Sequence, residues 1–203
     1  MISGMTCRNN TAFAVFYLIC TAGSLSAEAP ELNIRVYGFE GLPLGALPEA
    51  YTEAERLLSP ASIRLKWINC TSPLLSSECT AAQLPADLTL RIVADALPPA
   101  TASALGLAAW SGELAAAFIF YDRVAALRTR ERFVPTILGR VMAHEITHLL
   151  LGAHSHSEVG LMKGQWSADD LRTVNSAWLG LPIQSAQYMQ KEARRRNLIA
   201  RKD

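Results

Sequence analysis

The chain has 203 residues, half of them hydrophobic, which suits one domain of ordinary size with or without tails. Its formal net charge is +1, so the molecule as a whole is not built to attract nucleic acid or an anionic membrane. No glycine-rich phosphate loop follows a strand-like segment, and no internal repeat is visible.

The N-terminus reads as an export signal. Arg8 precedes the apolar run "TAFAVFYLICTAG", and "SLSAEAP" then offers small residues for cleavage near Ala27, giving a signal peptide over residues 1–27. The run is short for a membrane span, so no stable span is expected once the signal is removed. An uncleaved anchor helix is one rival. A lipid anchor on Cys20 is another, although "YLI" before it lacks the small residues such a site uses. Signal removal takes Cys7 and Cys20 away and leaves Cys70 and Cys79, a pair that suggests a disulfide closing a surface loop in an oxidising compartment. Such a bridge stabilises by roughly 2–3 kcal/mol on the chain-entropy model. A metal site on these two cysteines is the weaker reading, since no histidine or further cysteine lies near them.

"ELNIRVYGF" (31–39) alternates and reads as a strand. "LPEAYTEAERLLSPA" (47–61) has helical spacing and stops at its Ser-Pro pair. "SIRLKWINC" (62–70) is a second strand with Ile63, Leu65 and Trp67 on one face, and "DLTLRIVAD" (87–95) a third. After the loop "PPATASALG", the stretch "LAAWSGE" (107–113) reads as a short edge strand, and "AAAFIFYDRV" (115–124) as a central one. This order predicts an α/β or α+β layer, with helices packed on a mixed sheet. Residues 28–183 form the domain in this reading. The polar, basic stretch 184–203 is a C-terminal helix or tail, with Arg194, Arg195 and Arg196 solvated or frayed rather than a partner site.

Between these lies a long helix. Pro135 suits a first turn, and "PTILGRVMAHEITHLLLG" runs to Gly152, a residue able to end a helix in the left-handed conformation. The segment is apolar almost all round, so it should be buried, and the polar residues His144, Glu145 and His148 inside it need a reason. A metal supplies one. Two imidazoles four residues apart share a helix face and can converge on one Zn²⁺ at about 2.0–2.1 Å. Glu145, next to the first, can take a proton from water there. All four histidines of the chain, His144, His148, His154 and His156, fall within 13 residues. Core histidines satisfied by their neighbours are the alternative reading.

The third ligand has two sources. Asp169 and Asp170 lie at a workable distance, but "SADD" at 167–170 looks like a helix N-terminus, with Ser167 capping and acids in the first turn. A histidine beyond Gly152, either His154 or His156, is the other source.

The stretch "HEITHLLLGAHSHSEVGLM" resembles the metzincin signature, HExxHxxGxxH followed by a methionine in a tight turn. It is more similar still to small exported bacterial metzincin-like proteins, whose pattern runs HEIGHLLLG, three variable residues, HS, two residues, GIM and a tryptophan. This chain supplies His144 to Gly152, then "AHS", His156-Ser157, "EV", Gly160-Leu161-Met162 and Trp166. Leu151 stands at the usual glycine position, Gly152 arrives one residue late, and Thr147 replaces a common glycine. The displaced glycine implies a longer turn and favours His156 over His154 as third ligand. The resemblance implies an α+β fold with a twisted mixed sheet, an antiparallel edge strand, a long active-site helix, a turn carrying Met162, and a final helix, "ADDLRTVNSAWLG".

It also implies an exported, periplasmic or secreted zinc metalloendopeptidase. One Zn²⁺ would sit on His144, His148 and His156, with Glu145 as catalytic base. A peptide or protein substrate would lie along the edge strand near Ala109 and Trp110. Two alternatives are an exported zinc-binding protein of the same fold without turnover, and a zinc hydrolase acting on a non-peptide amide or ester.

Overall fold

The computed structural model describes residues 28–72, 76–98, 100–127, 134–167, 170 and 179–201. The export signal and almost all of the expected helix over 168–180 lie outside the described residues. In chain order the elements are β1 (Glu31–Tyr37), α1 (Leu47–Leu58), β2 (Arg64–Asn69), α2 (Ser77–Thr80), β3 (Asp87–Val93), β4 (Gly106–Ser111), β5 (Leu114–Phe120), α3 (Tyr121–Ala126), α4 (Val134–Leu151) and α5 (Ile183–Ala200).

Five strands form one sheet in the order β2-β1-β3-β5-β4. Four are parallel, and β4 alone runs antiparallel, paired with β5 from Gly106↔Ile119 to Ser111↔Leu114. This is a mixed α/β fold with an antiparallel edge strand. Alternation decides the faces. Leu32, Ile34 and Val36 of β1, Leu88, Leu90 and Ile92 of β3, and Ala115, Ala117 and Ile119 of β5 are buried in one core with the helices. On β1 the intervening residues are polar, and Arg35 there is buried. Its Nη2 meets Asp87 Oδ2 at 2.6 Å and Ala82 O at 3.0 Å, and its Nη1 meets Ala81 O at 2.6 Å. The charge is thus paired and hydrogen-bonded, as burial requires.

Helices α1 and α4 pack closely because Gly139 leaves room for the α1 backbone. A methyl group there would collide with the Ala50 carbonyl and with Glu53 Cβ. Next to it, fully buried Arg140 donates from Nε to Glu53 Oε1 at 3.0 Å. Cys70 and Cys79 form a disulfide that ties the end of β2 to α2, with Tyr37 packed against it. Among the described residues no helix is long and apolar enough to cross a membrane.

Two expectations change. The run 115–124 is not all strand: β5 stops at Phe120, and "YDRVAA" turns into α3. The C-terminal basic stretch is not wholly solvated. Ala186, Met189, Ala193 and Arg196 are buried along one side of α5, which packs on α4. The Arg196 guanidinium donates to the carbonyls of Pro85 (3.0 Å), Glu113 (3.2 Å) and Leu149 (3.5 Å), and to Glu192 Oε1 (2.9 Å). Buried polar partners replace the water that a surface arginine would have.

Candidate metal centre and cleft

Helix α4 ends at Leu151, and Gly152 follows with φ +96°, its N–H donating to His148 O at 2.7 Å. That left-handed residue turns the chain back over the helix end. The chain then returns, and Ser157 N donates to Met162 O at 2.8 Å, closing a loop around buried Leu161 and Met162.

The result is a cluster of three imidazoles. His148 Nε2 lies 3.0 Å from His144 Nε2 and 3.0 Å from His156 Nε2. Together His144, His148 and His156 offer three ligand atoms that converge on one point. His154 is exposed and does not join them. Asp170 does not join them either. It accepts from Lys163 Nζ at 2.7 Å and Ser167 N at 2.6 Å, while its own N–H donates to Ser167 Oγ at 3.1 Å, a reciprocal helix cap. Asp169 lies outside the described residues.

The proton positions around the rings decide what the cluster needs. His144 Nδ1 faces Leu161 O at 2.8 Å, and a carbonyl can only accept, so Nδ1 carries the proton and Nε2 a lone pair. Ser155 Oγ donates to Gly152 O at 2.8 Å, which leaves its oxygen to accept from His148 Nδ1 at 2.9 Å. His148 Nε2 is then a lone pair as well. Two lone pairs aimed at each other across 3.0 Å repel unless a cation lies between them. Ligands on a tetrahedral Zn²⁺ sit about 3.3 Å apart, given bonds of about 2.0–2.1 Å. The residues fit such an ion, with the backbone and Ser155 bonds fixing each tautomer as outer-shell partners do. Without a metal, burial pushes His144 down to about 4, and burial likewise lowers His148, so the neutral ligand form prevails.

Glu145 sits beside this cluster, buried, and its Oε2 has no hydrogen-bond partner among the described residues. Burial pushes its carboxyl up to about 8. Its carboxylate lies against Gly106, the first residue of β4, where any Cβ would collide with it. A glycine opening an edge strand is the mark of such a close approach, and "SALGLAAW" carries that signal.

These groups line one cleft of about 880 Å³. Its walls are β4 with the preceding loop on one side and the 163–166 segment on the other. The edge of Trp166 meets the His144 ring at 5.3 Å between centroids, beside the metal cluster. Trp110 is partly exposed on β4, with its indole N–H directed to Leu149 O at 3.4 Å, and Ala109 precedes it on the same strand. Arg123, Ser155 and Gln165 were not legible as site residues. Arg123 and Gln165 carry no motif and reach the cleft only through long-range folding, while Ser155, inside the histidine segment, acts locally on the His148 tautomer.

No family model matches the chain, and no curated protein matches it. Solved structures do. An archaemetzincin from Methanopyrus kandleri superposes with a TM-score of 0.53 at 14% identity, covering 84% of this chain and 99% of that one. A zinc-dependent peptidase from Methanocorpusculum labreanum gives a TM-score of 0.53 at 14% identity, covering 77% of this chain and 99% of its own. The chain therefore shares the fold of these metallopeptidases, with a three-histidine cluster in a cleft beside its antiparallel edge strand.

Proposed function

We propose that the protein is an exported zinc-dependent peptidase of metzincin type. The observation that carries this reading is the pairing of two unsatisfied features in one cleft. Three imidazole nitrogens converge, those of His144 and His148 with lone pairs inward, and a buried carboxyl oxygen beside them lacks a partner among the described residues. The peptidases of similar fold support it.

His144, His148 and His156 hold the ion. When bound, Zn²⁺ would supply Lewis acidity to the attacking water and to the peptide carbonyl. Glu145 takes the proton of the attacking water and returns it to the leaving amine. Burial alone raises the proton affinity of that carboxyl, and a cation held by the neighbouring imidazoles would lower it again, towards the ionised form a base needs. The free edge of β4, around Ala109 and Trp110, holds the substrate backbone by strand addition. Met162 is buried in the turn that returns after His156, and the Leu161 carbonyl beside it orients His144.

The test is metal analysis and peptide-library cleavage with wild type and the variants Glu145→Ala, His154→Ala and His156→Ala. Glu145→Ala keeps zinc and loses cleavage. His156→Ala loses zinc and His154→Ala keeps it. Product masses from wild type report whether bonds are cut within chains, as the resemblance implies. A zinc-loaded wild type that cuts nothing in a broad library overturns the peptidase reading.

A further inference from the structure

The cleft has two ends, and they differ in charge. At the Ser111 end, β4 is exposed, with Trp110 on the strand, and the hairpin charge Glu113 is paired with Arg195. At the Gly106 end the strand passes back into the loop 100–105, and there α3 delivers Arg123 into the cleft lining. Arg123 Nη1 donates to Thr101 O and Ala104 O, both at 2.6 Å, which uses both of its hydrogens. Nη2 and Nε have no acceptor, and no carboxylate pairs with this guanidinium, among the described residues. The ring of Phe120 backs it at 5.3 Å. The other cation in the lining, Lys163, is already paired with Asp170. Arg123 is thus the one cation without a carboxylate partner among the described cleft residues. At the same end, Gln165 Nε2 donates to Ser103 Oγ at 3.3 Å, linking the two walls.

From this placement we infer that Arg123 is a carboxylate-binding subsite on the leaving-group side of the scissile bond. The inference rests on the peptidase reading above and deepens it. A guanidinium held rigidly by two carbonyls and backed by an aromatic ring is pre-organised. Its remaining donors match a carboxylate fork. Glu145 touches Gly106, so the reacting bond lies at the start of β4, and Arg123 lies beyond it, past the strand. A substrate carboxylate there fixes the chain direction. The peptide enters at the Ser111 end, pairs antiparallel with β4, and places its C-terminal side against the 100–105 loop. The carboxylate comes either from a free C-terminus one or two residues after the cleaved bond or from an Asp or Glu side chain in that position. The bridge between Ser103 and Gln165 limits how much chain extends further.

The experiment uses the full zinc-loaded chain carrying Glu145→Ala, so that peptides bind without turnover. Four matched peptides are compared: free acid and C-terminal amide, each with Glu or Gln after the scissile position. Binding is read by calorimetry, and wild-type cleavage of the same set gives KM and kcat. The acidic member of the relevant pair binds about tenfold or more tightly than its neutral partner. Adding Arg123→Gln abolishes that preference while zinc content stays full, and Arg123→Lys restores part of it. Preference in the acid–amide pair identifies a chain terminus, and preference in the Glu–Gln pair a side chain. A merely structural Arg123, clamping its loop, would weaken all four peptides equally and leave the ratios unchanged. That result, or equal binding of all four by the parent chain, overturns the inference. Selective binding without any wild-type cleavage keeps the carboxylate subsite and overturns the peptidase reading instead.

Discussion

Helices α4 and α5 are each 18 residues long and pack on each other, yet they treat buried polar groups in opposite ways. On α5 the buried group is Arg196, and several hydrogen bonds to three carbonyls and Glu192 satisfy it. On α4, Glu145 Oε2 has no partner, and the Nε2 atoms of His144 and His148 face each other with lone pairs. A satisfied buried group is architecture. Arg35 Nε, Tyr51 Oη and Trp166 Nε1 also lack partners among the described residues, but Glu145 alone of these groups is a carboxyl, and its place beside three converging imidazoles is what points to a ligand. Arg140 sharpens the contrast, because it lies on α4 one turn before His144 and is paired with Glu53. The difference therefore belongs to one turn of α4 and not to the whole helix.

Breaking the contrast at its functional pole gives the largest effect. Glu145→Gln lowers kcat/KM by roughly 10²–10⁴-fold, the usual worth of a general base. The melting temperature of the metal-free chain does not fall, since no hydrogen bond is lost. Steady-state kinetics and calorimetry on one preparation check both halves. Next, zinc raises the melting temperature of wild type by mass action, and that rise disappears in His156→Ala but survives in His154→Ala. Thermal scans with and without zinc decide it. At the architectural pole, Arg196→Met costs about 2–4 kcal/mol in urea unfolding, because three carbonyls and a glutamate lose their donor. Zinc affinity measured on the folded fraction stays within severalfold of wild type.

Smaller effects test the boundary between the two. Gly106→Ala forces the Glu145 carboxylate aside and lowers kcat by about 10-fold or more, with little change in KM or zinc content. The smallest effect concerns Glu53. Burial alone would raise its carboxyl, but the hydrogen bonds from Arg56 and Arg140 outweigh burial and hold it below the ordinary value of 4.5. A carboxyl lowered in the folded state contributes stability that is present above 4.5 and lost as pH falls through the lowered value. Wild type should therefore lose more stability than Glu53→Gln when acidified through that window, as read by urea titrations at stepped pH.

Much of this was legible before folding, for local reasons. Strand alternation in "ELNIRVY" and "DLTLRIV", the left-handed Gly152, and the four-residue spacing of His144 and His148 are short-range patterns. The edge strand was legible because "LAAWSG" is short and lies next to a run of central-strand character. What stayed hidden depends on distant partners. Arg196 sits among charged neighbours, and the side of α5 it shares is lined by small alanines, so its apolar stripe is faint. Its three carbonyl acceptors lie 47 to 111 residues away. Arg123 was read as strand because the apolar run of β5 leads straight into "YDRV", and propensity alone does not mark the turn into α3.

Arg196 has one more consequence, for the order of biogenesis. Its guanidinium joins Glu113, at the β4–β5 hairpin, to Leu149, at the end of the helix bearing His144 and His148. That clasp closes only after synthesis has advanced 83 residues beyond the hairpin. A nascent chain already carrying His144, His148 and His156 still lacks the fastening between its edge hairpin and the end of α4. Docking of α5 should therefore come late and complete the packing around α4 and the edge hairpin after the rest of the sheet has been made.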